Sequence, residues 1–502
     1  MGVMRFRVCP PADASVWPEL ERAYLEGIDS RVFPLRLDVA EDMLACHRDG
    51  SESARLNVAY PVKGFGRPVL CTASLREREE PYLLSLELAR GRLGQLRDQL
   101  SAWELTGMVI PEDAQTALRN AHTAFRQAAC AQDVPQTASE AADAAITSAM
   151  VASERLTDGF IRQRLTARRR RSSHLPVLLG CPLGRARPNG TLERPFTTAF
   201  TATAAAIEWR DVEGNQGEYE WTLPDEQVEF AEQNRLVVTA GPLLDFSPGR
   251  LPTWLGDWSH DYFNLQCFVS DFVETAISRY AGRIRLWEVA ARANTGGGLA
   301  LSEEHRLALT ARAIEVARQT DDELQLALRV DRPWGDYQAH GQHRLSPLQF
   351  VDALLRSGVG LSSITLELAV GYRPGGSDYR DRFEVMRLVD LWTTFGLPLT
   401  ISLAFPSQGR HDPRADETLT VADSQWKTTW GEPAQSEWLV EILPALMAKS
   451  AVAGIEWTHF HDGIEHRFPH AGLITPDGAA KPALERLTRL RQSYWQRGRE
   501  AG

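Results

Sequence analysis

What this chain of 502 residues lacks narrows it before any motif does. Its six cysteines, Cys9, Cys46, Cys71, Cys130, Cys181 and Cys267, include no Cys-x-x-Cys pair. A thiolate zinc site or dithiol redox motif is therefore not expected, and buried free thiols are. There is no basic excess: 55 Lys and Arg stand against 66 Asp and Glu, a net charge of -11, which leaves no electrostatic footprint for nucleic acid. No apolar run is long enough to span a bilayer. The opening MGVMRFRVCPPADASVW has no secretory apolar core, and Phe6 stands where a myristoylation signal needs Ser or Thr. These absences predict a cytoplasmic chain with no membrane or nucleic-acid partner, leaderless export staying compatible. No Gly-x-Gly-x-x-Gly follows a strand, and Gly296-Gly297-Gly298 has no Lys-Ser or Lys-Thr behind it. Neither a dinucleotide site nor a phosphate loop is expected, and no cofactor.

What is present is ordinary globular material, 43% hydrophobic and 24% charged, in a chain too long for one core. Residues 1–80 carry short alternating segments, Met4–Val8, Val32–Leu37, Arg55–Val58 and Val69–Ala73. Pro10-Pro11, Asp49-Gly50 and Gly64-Phe65-Gly66 lie between them, a pattern that predicts a small β-sandwich. Residues 81–172 turn helical. Leu83, Leu86, Leu88, Leu93, Leu96 and Leu100 follow a helical period, Pro111 opens a second helix, and a third is expected over Ala138–Leu165 from Ser139. The basic run Arg168–Arg171 reads as a solvated linker at a helix end.

From about His174, residues 173–502 repeat strand, loop and helix eight times. Candidate strands are Val177–Leu179, Thr198–Ile207, Leu236–Ala240, Ile284–Val289, Leu324–Val330, Ile364–Leu368, Leu399–Ala404 and Val452–Trp457. Eight such units in this length predict a (β/α)₈ TIM barrel, an α/β fold whose function sits at the C-terminal ends of the strands.

Landmarks within the barrel region resemble glycoside hydrolase family 10, the xylanase family. Ala205-Ala206-Ile207-Glu208-Trp209 is similar to its Asn-Glu-Met-Lys-Trp strand. Gly241-Pro242-Leu243-Leu244 and Leu251-Pro252-Thr253-Trp254 resemble its third strand and the loop beyond. Leu286-Trp287-Glu288-Val289 resembles its fourth strand. Gly454-Ile455-Glu456-Trp457, Gly472-Leu473 and Lys481-Pro482-Ala483 resemble its closing pattern. The resemblance implies a retaining mechanism with two carboxyl groups about 5 Å apart, on the fourth and seventh strand ends. It places Arg292 at the acid/base position and Leu403 at the nucleophile, with Ser402 and Ala404 on either side. A guanidinium stays protonated and cannot cycle between acid and base. Xylanase chemistry of the family type is therefore not expected, and a binding or catalytically degenerate barrel is.

Other strand-end groups carry the remaining expectations. Asp331 and Glu367, on the fifth and sixth strands, are the candidate catalytic carboxylates of a hydrolase with relocated groups. Arg292 is expected to pair with Glu367 across the mouth. Trp209, Arg292, Trp334, Tyr337, Trp457, Asp462 and His466 are the candidate sugar contacts, aromatic faces for ring C–H surfaces and polar groups for hydroxyls. The run His459-Phe460-His461-Asp462, Glu465-His466, Pro469-His470 has metal-ligand chemistry, but a sugar-contacting loop is the expectation and no metal is assigned. The expected partner is a poly- or oligosaccharide. A purely structural or interaction protein is the third class.

Overall fold

The computed structural model describes residues 2–9, 17–40, 42–172, 175–341 and 343–495. The turn expected at Pro10-Pro11 and the start of the barrel region near residue 173 lie outside them. Two four-stranded sheets open the chain. One orders Arg36–Ala40, Met43–Arg48, Gly2–Arg7 and Tyr82–Leu83; the other orders Val32–Phe33, Tyr24–Glu26, Arg55–Ala59 and Val69–Cys71. Alternation builds them: Met4, Phe6, Leu44 and Cys46 point to one face and are buried completely. The strand expected over Val32–Leu37 is two strands, in different sheets. Pro34 between them has no N–H for a ladder, and the chain breaks there.

Three helices follow, α1 (Leu84–Leu105), α2 (Glu112–Cys130) and α3 (Pro135–Arg171). The third begins at Pro135, earlier than Ser139, because proline suits the first helical turn. Ser139 instead bonds Ser85 Oγ at 2.9 Å inside the bundle. Arg168–Arg171 form the last turn of α3, where cations suit the helix dipole. Arg168 donates to the carbonyls of Met447 and Lys449, and Arg169 to that of Ser493. Arg168 and Arg169 thus clasp the barrel, while Arg170 and Arg171 are exposed at the helix end, as expected of a solvated run.

The remaining chain is a closed barrel of eight parallel strands, β1 (Leu178–Gly180), β2 (Ala202–Ala205), β3 (Val237–Ala240), β4 (Leu286–Ala291), β5 (Gln325–Asp331), β6 (Ser363–Ala369), β7 (Leu399–Ala404) and β8 (Val452–Trp457). Each pairs with the next, and β8 with β1 closes the ring. A short strand, Leu244–Asp245, extends the β3 side against the end of β4. Helices of the outer layer include Glu303–Thr320, Pro347–Arg356 and Glu432–Met447. Pro347–Arg356 starts on a capping box between Ser346 and Gln349, which fixes its first turn. Among the described residues no helix is long and apolar enough to cross a membrane.

Candidate functional site

The period of two along each strand decides what enters the lumen. On β5, Leu326, Leu328 and Val330 join the apolar core beneath the helices. Ala327 and Arg329 face a lumen cavity. Arg329 reaches across the barrel, donating from Nε to Glu288 of β4 (2.6 Å), from Nη1 to Ser402 of β7 (2.8 Å) and from Nη2 to Glu456 of β8 (2.8 Å). Glu367 of β6 lies 3.6 Å from the same guanidinium.

One level nearer the mouth, Arg292 follows β4 in the left-handed region, with φ of 55°. Its side chain grips both oxygens of Glu367 and donates to Asp245 Oδ2 at 2.8 Å. The expected pairing with Glu367 is present, and Asp245 is a partner that the sequence did not announce. The result is a buried chain of alternating charge, Asp245–Arg292–Glu367–Arg329, ending on Glu288 and Glu456. Burial alone would raise the carboxyl of Asp245, but Arg292, Arg467 and Ser247 hold it well below its ordinary range. Glu367 is likewise held low, against burial, by Arg292, Arg467 and Arg329. Glu288 goes the other way: burial outweighs Arg329 and raises it.

Asp331 is Glu367's register neighbour on β5. It is 4% exposed, accepts from the Thr295 hydroxyl at 2.9 Å, and lies outside the cavity lining. Burial, with Glu367 alongside, pushes it up to about 6 against the pull of Arg292. Leu403, which the resemblance led us to expect at the nucleophile position, is buried completely in the core.

The opposite wall of the lumen is made of almost nothing. Gly180, Ala202, Ala204, Ala206 and Gly454 leave a cavity of about 200 Å³. Glu208, after β2, stands at its edge, its Oε2 without a hydrogen-bond partner and 3.9 Å from Arg250. Burial raises its carboxyl despite Arg250. Arg250, Glu208, Arg329 and Arg467 all line the cavity and none was singled out as a sugar contact from sequence. The available signal was a lone charge inside an apolar strand, as in Leu-Ala-Leu-Arg329-Val.

The expected aromatic contacts lie elsewhere. Trp209 donates to Glu213 and stacks on Phe272 at 5.0 Å, in the core. Trp457 donates to the Ala471 carbonyl and is 2% exposed. Tyr337 is buried beside Asn294 and His343. Trp334 lies under the Arg380 guanidinium, in a separate pocket against the N-terminal sheets. No tryptophan or tyrosine lines the lumen cavity among the described residues. His466 does line it, stacked on His459 at 4.1 Å.

His459, Asp462 and His466 bring three potential ligand atoms within 4.8 Å of one another. Each is already engaged. Asp462 holds the Lys481 ammonium and accepts from Gly472 N, His459 bonds Asp462 at 3.0 Å, and His466 bonds Asp412 at 3.1 Å. Burial and His466 hold the His459 ring down at about 4. An ammonium on the same carboxylate opposes a further cation, and the cluster staples the loop after β8 to the barrel.

With this geometry in hand, the family model described as "Glycosyl hydrolase family 10" matches residues 192–361, from before β2 to just short of β6. This is a family 10-like barrel. Endo-1,4-beta-xylanase 3 of Hypocrea jecorina is 29% identical over 113 residues, which is 21% of this chain and 32% of that protein. Endo-1,4-beta-xylanase B of Thermotoga neapolitana is 28% identical over 94 residues, 18% of this chain and 26% of that protein. The matched stretches thus span about a third or less of these curated relatives. Among solved structures, xylanase 10B of Thermotoga petrophila RKU-1 in complex with xylobiose is 16% identical, covering 64% of this chain and 95% of that one, with a TM-score of 0.48. Native xylanase 10B of Thermotoga maritima is also 16% identical, covering 65% and 98%, with a TM-score of 0.48.

Proposed function

We propose that this family 10-like barrel binds carbohydrate in its mouth without running the two-glutamate displacement. The observation that carries the reading is Arg292. It occupies the strand end where that mechanism needs an acid/base, and it holds both adjacent carboxylates, Asp245 and Glu367, in ion pairs. A carboxylate so held is neither a free nucleophile nor a proton donor. What remains open to a ligand is a cavity edged with hydroxyl, carboxylate and guanidinium groups, which suits the hydroxyls of a sugar.

The test pairs hydrolysis with binding. The protein is incubated with soluble xylan and an aryl β-xyloside, and titrated with sugars in parallel. No release of reducing ends or aryl alcohol is expected, together with measurable binding. A second reading, hydrolysis by Asp331 and Glu367, draws on their adjacent register and oppositely shifted carboxyls. Turnover abolished by Asp331→Asn or Glu367→Gln would establish it and end the first reading. Turnover surviving both would place the carboxylates elsewhere.

A further inference from the structure

The mouth of the barrel is crossed from side to side. Arg250 stands in the loop after β3, and Asp416 in the loop after β7; their side chains pair at 3.1 Å, 15% and 13% exposed. In an eight-stranded ring β3 and β7 are opposite one another, four strands apart, so this pair spans a diameter. It is braced twice. The Asp416 N–H donates to the Arg467 carbonyl at 3.3 Å, and Arg467 Nη1 donates to Ser247 Oγ at 3.2 Å, tying the loop after β8 to the loop after β3.

The rim over β5 to β7 is occupied as well, because the N-terminal sheets stand on it. Leu35 N donates to the Ala339 carbonyl at 3.1 Å, Arg22 pairs with Asp378 at 3.2 Å, and Arg67 N donates to the Gln425 carbonyl at 2.7 Å. What is left of the mouth lies over β1, β2 and β8, and the cavity beneath it runs down into the lumen, past Ala204 and Gly180 to Leu178. TIM barrels ordinarily fill that space with layers of bulky side chains.

A glycan gripped along its interior needs a groove open at both ends. This mouth has a strap across one diameter and a docked module behind it, and the free space is axial. We propose that the lumen takes a glycan end-on, admitting a chain terminus or a free sugar of one or two units and excluding chain interiors. The inference rests on the carbohydrate reading above. Size agrees: about 200 Å³ is below the roughly 300–1,000 Å³ of sites for drug-sized ligands and suits one ring rather than a run of them. Chemistry agrees too, since Glu288, Arg329 and Glu456 at the deep end offer acceptors and donors, and among the described residues no tryptophan or tyrosine lines the cavity as a platform for a passing chain.

The experiment uses the full chain and three series, xylose, glucose and mannose, each as monomer, oligomers to six units and the parent β-1,4-polymer. In the series that binds, affinity is expected to level off after two units. Bound protein should follow the number of chain ends, so that shortening the polymer at constant mass raises binding in proportion to the new termini. Binding that follows polymer mass and ignores chain length overturns the end-on inference while leaving the carbohydrate reading intact. Binding by no member of any series overturns that reading, and the inference with it. Ala204→Leu, which fills the lumen from β2, should cost at least about tenfold in affinity. Should that variant fail to fold, Gly180→Ala gives a milder block, since its Cβ would meet Ala202 Cβ at an ordinary 3.7 Å. Unchanged affinity in a folded Ala204→Leu protein, or in Gly180→Ala where that is the folded one, also overturns it.

Discussion

Two walls of one lumen meet in this barrel. The wall from β4, β5 and β6, with Glu456 of β8, is crowded with ionised side chains that hold one another. The wall from β1 and β2, with Gly454 of β8, has glycine and alanine where a TIM barrel ordinarily places bulky branched residues. The first fills space with charge and can afford to only because each guanidinium meets at least two carboxylates. The second gives the space back. The difference teaches that a barrel can fill one side of its lumen with paired charge and still keep a cavity on the other, provided the polar wall is closed upon itself.

The comparison is most exposed to failure at Arg292. Arg292→Leu leaves Asp245 and Glu367 buried without their shared cation and should cost about 3–5 kcal/mol in urea unfolding. A loss under about 1 kcal/mol would mean that water screens the charged wall and that it is no closed network.

A smaller effect, and one of telling sign, belongs to pH. Asp331 titrates at about 6 in the folded chain against 3.8 ordinarily, so the native state holds that proton more tightly than the unfolded chain. Its contribution is fully present below about pH 4 and is lost as pH rises through about 6, by about 3 kcal/mol. Asp245 works in the opposite sense, since its carboxyl is held low: its contribution is present above about pH 4 and is lost as pH falls below that. Asp331→Asn should therefore flatten the stability profile between about pH 4 and 6 and leave the acid limb in place. An unchanged slope between those values would detach Asp331 from the charged wall.

The smallest change lies across the lumen. Gly180→Ala adds a methyl at ordinary contact distance from Ala202 and restricts the unfolded chain, so it should gain about 0.5–1 kcal/mol. A loss instead would show that the open wall is already filled.

How far sequence reached differs along the same lines. Leu399–Ala404 and Val452–Trp457 were legible to the residue, because apolar residues dominate each short segment despite Ser402 and Glu456 within them. β2 was drawn too long, from Thr198 to Ile207, since a stretch of alanine and threonine has no period to read; Glu193–Ala199 is in fact helix. Met43–Arg48 was passed over entirely, although Leu44 and Cys46 alternate inward. At the site, Arg292 with Glu367 could be seen because both sit at strand ends matched to a known pattern. Arg329 could not, because its carboxylate partners lie 41 and 127 residues away and meet it only through the stagger of a closed sheet. The aromatic contacts misled for a plain reason: Trp209 and Trp457 each find an internal acceptor for the indole N–H, and a tryptophan so satisfied is free to be core.

The long helix α3 has one further consequence. Ala149 on it belongs to the apolar cluster that runs through the barrel, and the next residue, Met150, to the cluster beneath the N-terminal sheets. Adjacent side chains on one rod thus serve two cores, and α1 does the same with Leu93 and Leu88. Neither core can melt without stripping a face from a helix that the other still needs. Calorimetry of the whole chain should accordingly trace one heat-absorption peak rather than two, with a calorimetric enthalpy that matches the van't Hoff value.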